Sequence, residues 1–472
     1  MQNSRLIDIF RSSHFWGFAL VFLIVNFLKL DNSSMYLDEA YSLYYTQQDF
    51  AGLSSIFARE ANPPLYYIML FGWVHTFGAS VLTGRLLSLL FSTVLLIVAG
   101  GWLNKRFGLL SSVIFCLLYI SNPTVIDMSM EMRTFALTAL LVFLSTVHFV
   151  AFYEKKKTLT FLLFAGFSLV ALYSHLNAVF PIGLLGILLL FTPTKSIYKF
   201  GFFALLALGT LPLLYFLSDA KLSSTSSWMA VPGWKAIKIE FFTLGSTWLY
   251  TILFLLAAIA SSLIVKLKKP EYKFTWIVFI TLAMGSWFAS FMVSQSIPVF
   301  QAKYLYFTLP FFIILVAIAV HYLSQKISPR LKGIVVIAFA ATFANGIFSW
   351  PVKSEDWKGV VDYISATKTE DHLVMVAPGY MYRPFGYYYS PEDFAQRPDL
   401  VEALYPKGVI FIDQLSNDLF EYIKPKKIIY VLSHQQVVDP NWDNMKFLND
   451  RYTYISEKSF AGIRTFSFAE SP

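Results

Sequence analysis

The chain has 472 residues, 56% of them hydrophobic and only 14% charged, where an ordinary soluble domain carries about 25% charged residues. Its formal net charge is +8, but the lysines and arginines gather in short connections between apolar runs, a topological pattern that excludes nucleic-acid binding as the meaning of the basic balance. The single cysteine, Cys116, sits in an apolar run and rules out both a disulfide framework and a thiolate metal site.

A membrane-spanning helix takes about 20 mainly apolar residues. In chain order such runs cover 15–30, 82–103, 109–122, 134–153, 160–175, 178–191, 200–217, 247–265, 274–293, 304–323 and 333–350. The expected fold is therefore an α-helical polytopic membrane protein with about 11 spans. Arg5 and Arg11 precede the first run and no small-residue cleavage pattern follows it, so it reads as an uncleaved helix.

Alternate connections are basic: Lys105 and Arg106, Lys155 to Lys157, Lys195 and Lys199, Lys266 to Lys273, and Lys326 to Lys332. The opposite connections are long or acidic. By the positive-inside rule the N-terminus lies in the cytoplasm and the C-terminus outside. The outer segments are then expected to face the periplasm or the cell exterior.

Three outer segments are large enough to carry structure. The first, 31–81, holds the adjacent acids Asp38 and Glu39, an amphipathic stretch over 40–59, and Asn62-Pro63-Pro64-Leu65-Tyr66-Tyr67 leading into an apolar run at 68–77. Counting that run as a span would turn every later basic connection outward, so it is expected to lie in the outer interface. The second, 218–246, reads as a loop followed by an interfacial helix. The third is the tail, 351–472, which follows the membrane domain at 1–350. Its polarity is ordinary, with a helix expected over 355–368, strands over 373–377, 409–412 and 428–432, and a closing hairpin over 452–468 that turns at Ala461-Gly462. That pattern predicts a small extracytoplasmic α/β domain.

Asp38 and Glu39 stand just beyond the first span. Acids at the start of a helix are favoured by the macrodipole, yet ionisable groups at the membrane plane are costly and tend to be functional. Two adjacent carboxylates in a partly dry site can be driven to different pKa values, so that one acts as a base. Cations converge on the same face: Arg85, Arg133 beside Glu131, and Lys303 beside Tyr304, with His175 at the end of the fifth span. Snorkelling and local pairing would explain any one of them alone. Together, a base and fixed cations suit transfer of a sugar from a lipid phosphate: the carboxylate takes the proton of an acceptor hydroxyl while Arg or Lys meets the departing phosphate. Such a donor arrives through the membrane, so no cofactor is required, and the residues leave a divalent metal open.

Leu37-Asp38-Glu39-Ala40-Tyr41-Ser42, Asn62-Pro63-Pro64-Leu65-Tyr66-Tyr67, Gly84-Arg85-Leu86-Leu87-Ser88, Glu131-Met132-Arg133-Thr134-Phe135-Ala136-Leu137, Tyr173-Ser174-His175 and Lys303-Tyr304-Leu305 with Pro310 occur in this order. The series resembles the GT-C glycosyltransferases, in the branch that contains glycosyltransferase family 39, the protein O-mannosyltransferases and the lipid A aminoarabinose transferases. The resemblance spans residues 10 to 320, and Glu355-Asp356-Trp357 resembles the start of the soluble tail in bacterial members. It implies an inverting transfer from a polyprenyl-phosphate sugar to a glycan, lipid or protein acceptor. Asp38 would be its base, Glu39 would hold acceptor or donor, and Arg85, Arg133 and Lys303 would bind the lipid phosphate. Tyr41, Asn62, Pro64, Tyr66, Glu131, His175 and Tyr304 would line the substrate pocket. Two positions depart from the family pattern: Lys303 stands where Arg is frequent, keeping the charge and losing the fork geometry, and Phe135 stands where Tyr is frequent. The alternative reading is a transporter or flippase of a lipid-linked substrate, whose usual marks are paired repeats and helices broken at the midplane. No repeat is visible in this sequence.

Overall fold

The structure is a computed structural model that describes residues 13–30, 33–59, 62–213, 229–268, 270–324, 328–348 and 355–471. Arg5, Arg11 and the 218–228 part of the second outer segment lie outside them. The chain divides into two compact units. One holds the residues up to Leu30, Ser54–Trp73 and the chain from Thr83 to the end of the apolar helices. The other holds the stretch ending at Leu53, Val74–Leu82 and the C-terminal tail.

Among its described residues the first unit is built of helices, without a strand. Apolar runs become helices because lipid offers no partner for a backbone N–H or C=O, and only a helix satisfies both within one segment. Within the described residues each of the runs read from the sequence falls mainly on helix. Among the described residues five are long and apolar enough to cross a membrane: Val81–Phe107, Phe135–Lys155, Ser196–Leu213, Lys273–Val293 and Lys303–Ser324. Two bent pairs raise the number to as many as 7, Leu109–Ser121 with Pro123–Met130 at 65° and Trp234–Gly245 with Trp248–Ala260 at 106°. Local chemistry sets these breaks. Gly108, at φ +95°, supplies a turn that a side chain would strain, and it separates Val81–Phe107 from Leu109–Ser121. At the 65° bend, Asn122 accepts the N–H of Val125 at 3.0 Å and Pro123 occupies the first helical position, which starts a new helix in a new direction.

Gly84 fixes how closely two of the motifs approach. A Cβ at this position would lie 2.1 Å from the Met132 sulfur, so the absence of a side chain is what lets the 131–133 turn seat on the Val81–Phe107 helix.

The second unit carries a five-stranded sheet: β1 His372–Ala377, β2 Val409–Phe411, β3 Lys427–Ser433, β4 Tyr452–Phe460 and β5 Ile463–Glu470, in the order β2-β1-β3-β5-β4. β1 runs parallel to β2 and β3, and β5 is antiparallel to β3 and β4. The parallel strands are almost wholly buried, as expected of apolar runs covered on both faces. Ile428, Tyr430 and Leu432 of β3 join Phe466 and Phe468 of β5 in one core. The helix Trp357–Thr367 opens the tail, with Asp356 accepting the N–H of Gly359 at 3.0 Å as its N-cap. Trp357 is fully buried and donates to Glu355 Oε2 at 2.9 Å, while Glu355 Oε1 lies 2.6 Å from His434 Nε2. The strands and hairpin expected from the sequence are present within a residue or two.

The amphipathic stretch expected over 40–59 is not continuous. It forms Leu37–Thr46 and Phe50–Arg59, because Asp49 accepts the N–H of Gly52 at 3.0 Å and restarts the helix.

Candidate functional site

In the second unit, the Leu37–Thr46 helix places Asp38 and Glu39 in its first turn, where the unpaired N–H groups favour negative charge. Glu39 is fully buried and Asp38 is half-buried. The helix is tied to tail residues some 350 positions away. Tyr44 Oη donates to the carbonyls of Arg397 at 2.6 Å and Pro398 at 2.9 Å, and Gln47 Nε2 donates to Phe394 O at 2.8 Å. Burial pushes the Tyr44 phenol up to about 12, so it remains a donor at all physiological pH.

Sequence reasoning missed Arg383. It is buried, and Nη2 donates to Tyr45 Oη at 2.8 Å. Its guanidinium carbon stands 4.8 Å from the Tyr41 ring centre, 5.1 Å from Tyr45 and 4.3 Å from Tyr382. Its Nε has no hydrogen-bond partner among the described residues. The charge is thus carried by aromatic faces, an arrangement that suits Arg far better than Lys. It puts a fixed cation against the helix that bears the acid pair. The signal was an arginine inside the run Tyr382-Arg383-Pro384-Phe385-Gly386-Tyr387-Tyr388-Tyr389.

In the first unit several of the motifs meet. The Leu65 N–H donates to Tyr173 O at 3.1 Å, which joins the Asn62 to Tyr67 motif to the Tyr173 to His175 motif. Pro64 and Tyr66 are buried, Asn62 is half-buried, and Tyr66 Oη lies 2.9 Å from Ser88 Oγ. Arg133 Nη1 donates to Tyr67 Oη at 2.8 Å, and the Arg133 N–H closes a tight turn onto Glu131 O at 2.7 Å. Glu131 and Arg133 are both buried. Thr134 donates to the Ser174 carbonyl, and Thr138 Oγ1 lies 2.8 Å from Ser174 Oγ.

These contacts bring His175 into a ring cluster, with centroids 5.7 Å from Phe135 and 5.5 Å from Tyr304. His175 is buried and its Nδ1 accepts the Asn177 N–H at 3.0 Å. In the neutral ring the proton therefore belongs to Nε2, and Nε2 has no partner among the described residues. Arg133 and Lys303 both act on this ring electrostatically, and Lys303 Nζ stands 5.4 Å from the centre of the Tyr304 ring. The Lys303–Thr308 turn is held by another residue missed in the sequence: Glu240 Oε2 accepts the Ala302 N–H at 2.7 Å. Arginine, lysine and an imidazole N–H are what an anionic oxygen in a dry site requires.

Arg85 is fully buried, and Nη1 donates to the carbonyl of Leu30, the last residue of the Ser13–Leu30 helix. A cation at a helix C-terminus is favourable, so Arg85 has a structural task. Among the described residues no group of three or more His, Cys, Asp or Glu is placed to hold a metal ion.

No protein-family model matches the sequence, and no curated protein does. Solved structures do. The chain is similar to ArnT from Cupriavidus metallidurans in the apo state, with a TM-score of 0.61 at 12% identity, covering 95% of this chain and 97% of that one. It is similar to the same protein bound to undecaprenyl phosphate, with a TM-score of 0.58 at 13% identity, covering 97% and 98%. At these identities the likeness shows the fold alone: the chain shares the fold of ArnT, with helices long and apolar enough to cross a membrane and a small C-terminal sheet domain.

Proposed function

We propose that this chain is an inverting glycosyltransferase that moves a sugar from a polyprenyl-phosphate donor to an acceptor hydroxyl at the outer face of a bacterial inner membrane. The observation that carries the reading is the cluster of Arg133, Lys303 and the His175 Nε2–H, which has no partner among the described residues, in a chain with the fold of ArnT, one of whose structures holds undecaprenyl phosphate. Asp38 removes the proton of the acceptor hydroxyl, and the oxygen attacks the anomeric carbon from the face opposite the phosphate. The bond from that carbon to the phosphate oxygen breaks, and the electron pair leaves with the polyprenyl phosphate. Arg133 and Lys303 meet the developing charge, His175 donates to an oxygen of the phosphate or sugar, and Arg85 belongs to the same donor machinery. Glu39 holds the acceptor or the sugar. Asn62, Pro64, Tyr66 and Tyr304 form walls, and Tyr41 supports the helix of the acid pair. The basic connections orient the chain with its N-terminus in the cytoplasm and its C-terminal domain outside.

The test is the affinity of the purified protein for undecaprenyl phosphate. Arg133→Ala and Lys303→Ala are each expected to weaken it roughly tenfold or more, the loss of one charge-assisted hydrogen bond of about 1.5–3 kcal/mol. Unchanged affinity in both variants would remove the phosphate site from the reading.

A further inference from the structure

The second unit holds a cavity of about 380 Å³, inside the range of about 300–1,000 Å³ usual for small-molecule sites. Its lining is unlike the cation cluster and unlike a lipid groove. Among the described residues the apolar contribution is Val81 and Leu82; the rest is hydroxyls from Ser33, Ser34, Ser80 and two tyrosines, together with one carboxylate, Asp356, and one ammonium, Lys358. The charges of Asp356 and Lys358 oppose each other, so these residues offer no excess positive charge to a phosphate. With so little apolar wall an acyl chain would gain little.

The polar groups are built into position. Ser34 Oγ donates to Asp356 Oδ1 at 3.1 Å and accepts the Lys358 N–H at 3.0 Å, which locks the segment before the acid-pair helix to the first turn of Trp357–Thr367. Asp356 Oδ1 also caps that turn through the Gly359 N–H at 3.0 Å. Oδ2 and the Lys358 ammonium have no hydrogen-bond partner among the described residues, so an acceptor and a donor remain for a ligand. Tyr388 Oη accepts the Met35 N–H at 2.7 Å, and the Tyr387 and Tyr388 rings stand edge to face with centres 4.9 Å apart, which makes a stiff aromatic wall.

A neutral, hydroxyl-rich hollow with a carboxylate, an amine and an aromatic wall is the recognition chemistry of a sugar: paired hydroxyls meet the carboxylate and the serines, and the C–H face of the ring lies on tyrosine. We infer that this cavity is a carbohydrate-binding site that holds the polyhydroxyl part of the acceptor. Its assignment to the acceptor rests on the transferase reading; its capacity to bind saccharide does not.

The experiment measures saturation-transfer NMR on the full-length protein in detergent with mannose, glucosamine, N-acetylglucosamine and its β-1,4 disaccharide, with inorganic phosphate as the comparison probe. Ser80→Trp fills the cavity and Lys358→Met removes the free donor without touching the core. At least one saccharide is expected to saturate the wild type, to bind at least tenfold more weakly to both variants, and to leave undecaprenyl-phosphate affinity unchanged in each. If no saccharide saturates up to about 10 mM, if both variants bind like the wild type, or if phosphate alone shows the variant-sensitive signal, the site is not a carbohydrate site. Saccharide binding in a protein that transfers no sugar would keep the cavity and reject the transferase reading.

Discussion

At the scale of single residues, Arg383 packs against the helix that bears the acid pair. Asp38 and Glu39 sit at the N-terminus of a helix, and Tyr41 and Tyr45, one and two turns further along it, meet with Tyr382 a cation spread over their rings. Arg383 is a positioning residue on this account. Arg383→Met should cost about 1–2 kcal/mol of stability, the value of desolvated cation–π contacts. It should also lower kcat by roughly tenfold or more with little change in KM for the donor, and Arg383→Lys should recover part of the stability but little of kcat, because an ammonium cannot spread over three rings. Kinetics and thermal unfolding of the two variants check this; a change confined to stability would make Arg383 a packing residue only.

At the scale of elements, Gly84 is the point where two motifs press together. Gly84→Ala should displace Met132, cost about 1–3 kcal/mol as overpacking, and weaken undecaprenyl-phosphate binding through the Arg133 turn. Denaturation and binding measured on the same sample would show both effects; an undisturbed Arg133 turn would leave affinity unchanged. The tail offers a titration. Hydrogen bonds from Lys407 and Ser390 hold the Asp393 carboxyl below its usual range, with Lys407 Nζ 2.6 Å from Oδ2. A carboxylate lowered in the folded state stabilises fully above its ordinary pKa of about 3.9 and loses that contribution as pH falls through the folded value. Asp393→Asn should therefore lower stability at neutral pH and flatten its decline below about pH 4, as read by thermal unfolding across that range.

These elements also show why some features were legible. The strands of the tail announced themselves as short β-branched runs such as Ile428 to Leu432, and Asp38 and Glu39 as charge where charge is costly. Arg383 did not, since its partner Tyr45 is 338 positions away and no local pattern encodes that contact. Asp49 was read as part of one helix because apolar periodicity continues across it, while its side chain caps a second. Glu240 escaped because a lone acid in a lysine-bearing stretch carries no signal of the backbone N–H it will meet.

At the scale of the whole molecule, the fold places apolar helices in one unit and a mixed sheet in the other, and the proposed topology, with the basic connections in the cytoplasm and the tail outside, is open to direct test. A cysteine introduced at Ser471 should be labelled by an impermeant reagent in intact cells, since native Cys116 is buried and silent. Labelling only after the membrane is breached would reverse the orientation. The central claim is sugar transfer with Asp38 as base, and the direct measurement is turnover of labelled undecaprenyl-phosphate and dolichyl-phosphate sugars by the purified wild type and by Asp38→Asn. The wild type should consume at least one donor, and the folded variant should bind it with unchanged affinity yet turn it over at least about 100-fold more slowly, the loss expected for a general base. Equal turnover by Asp38→Asn, or no turnover of any donor by the wild type, would contradict the account.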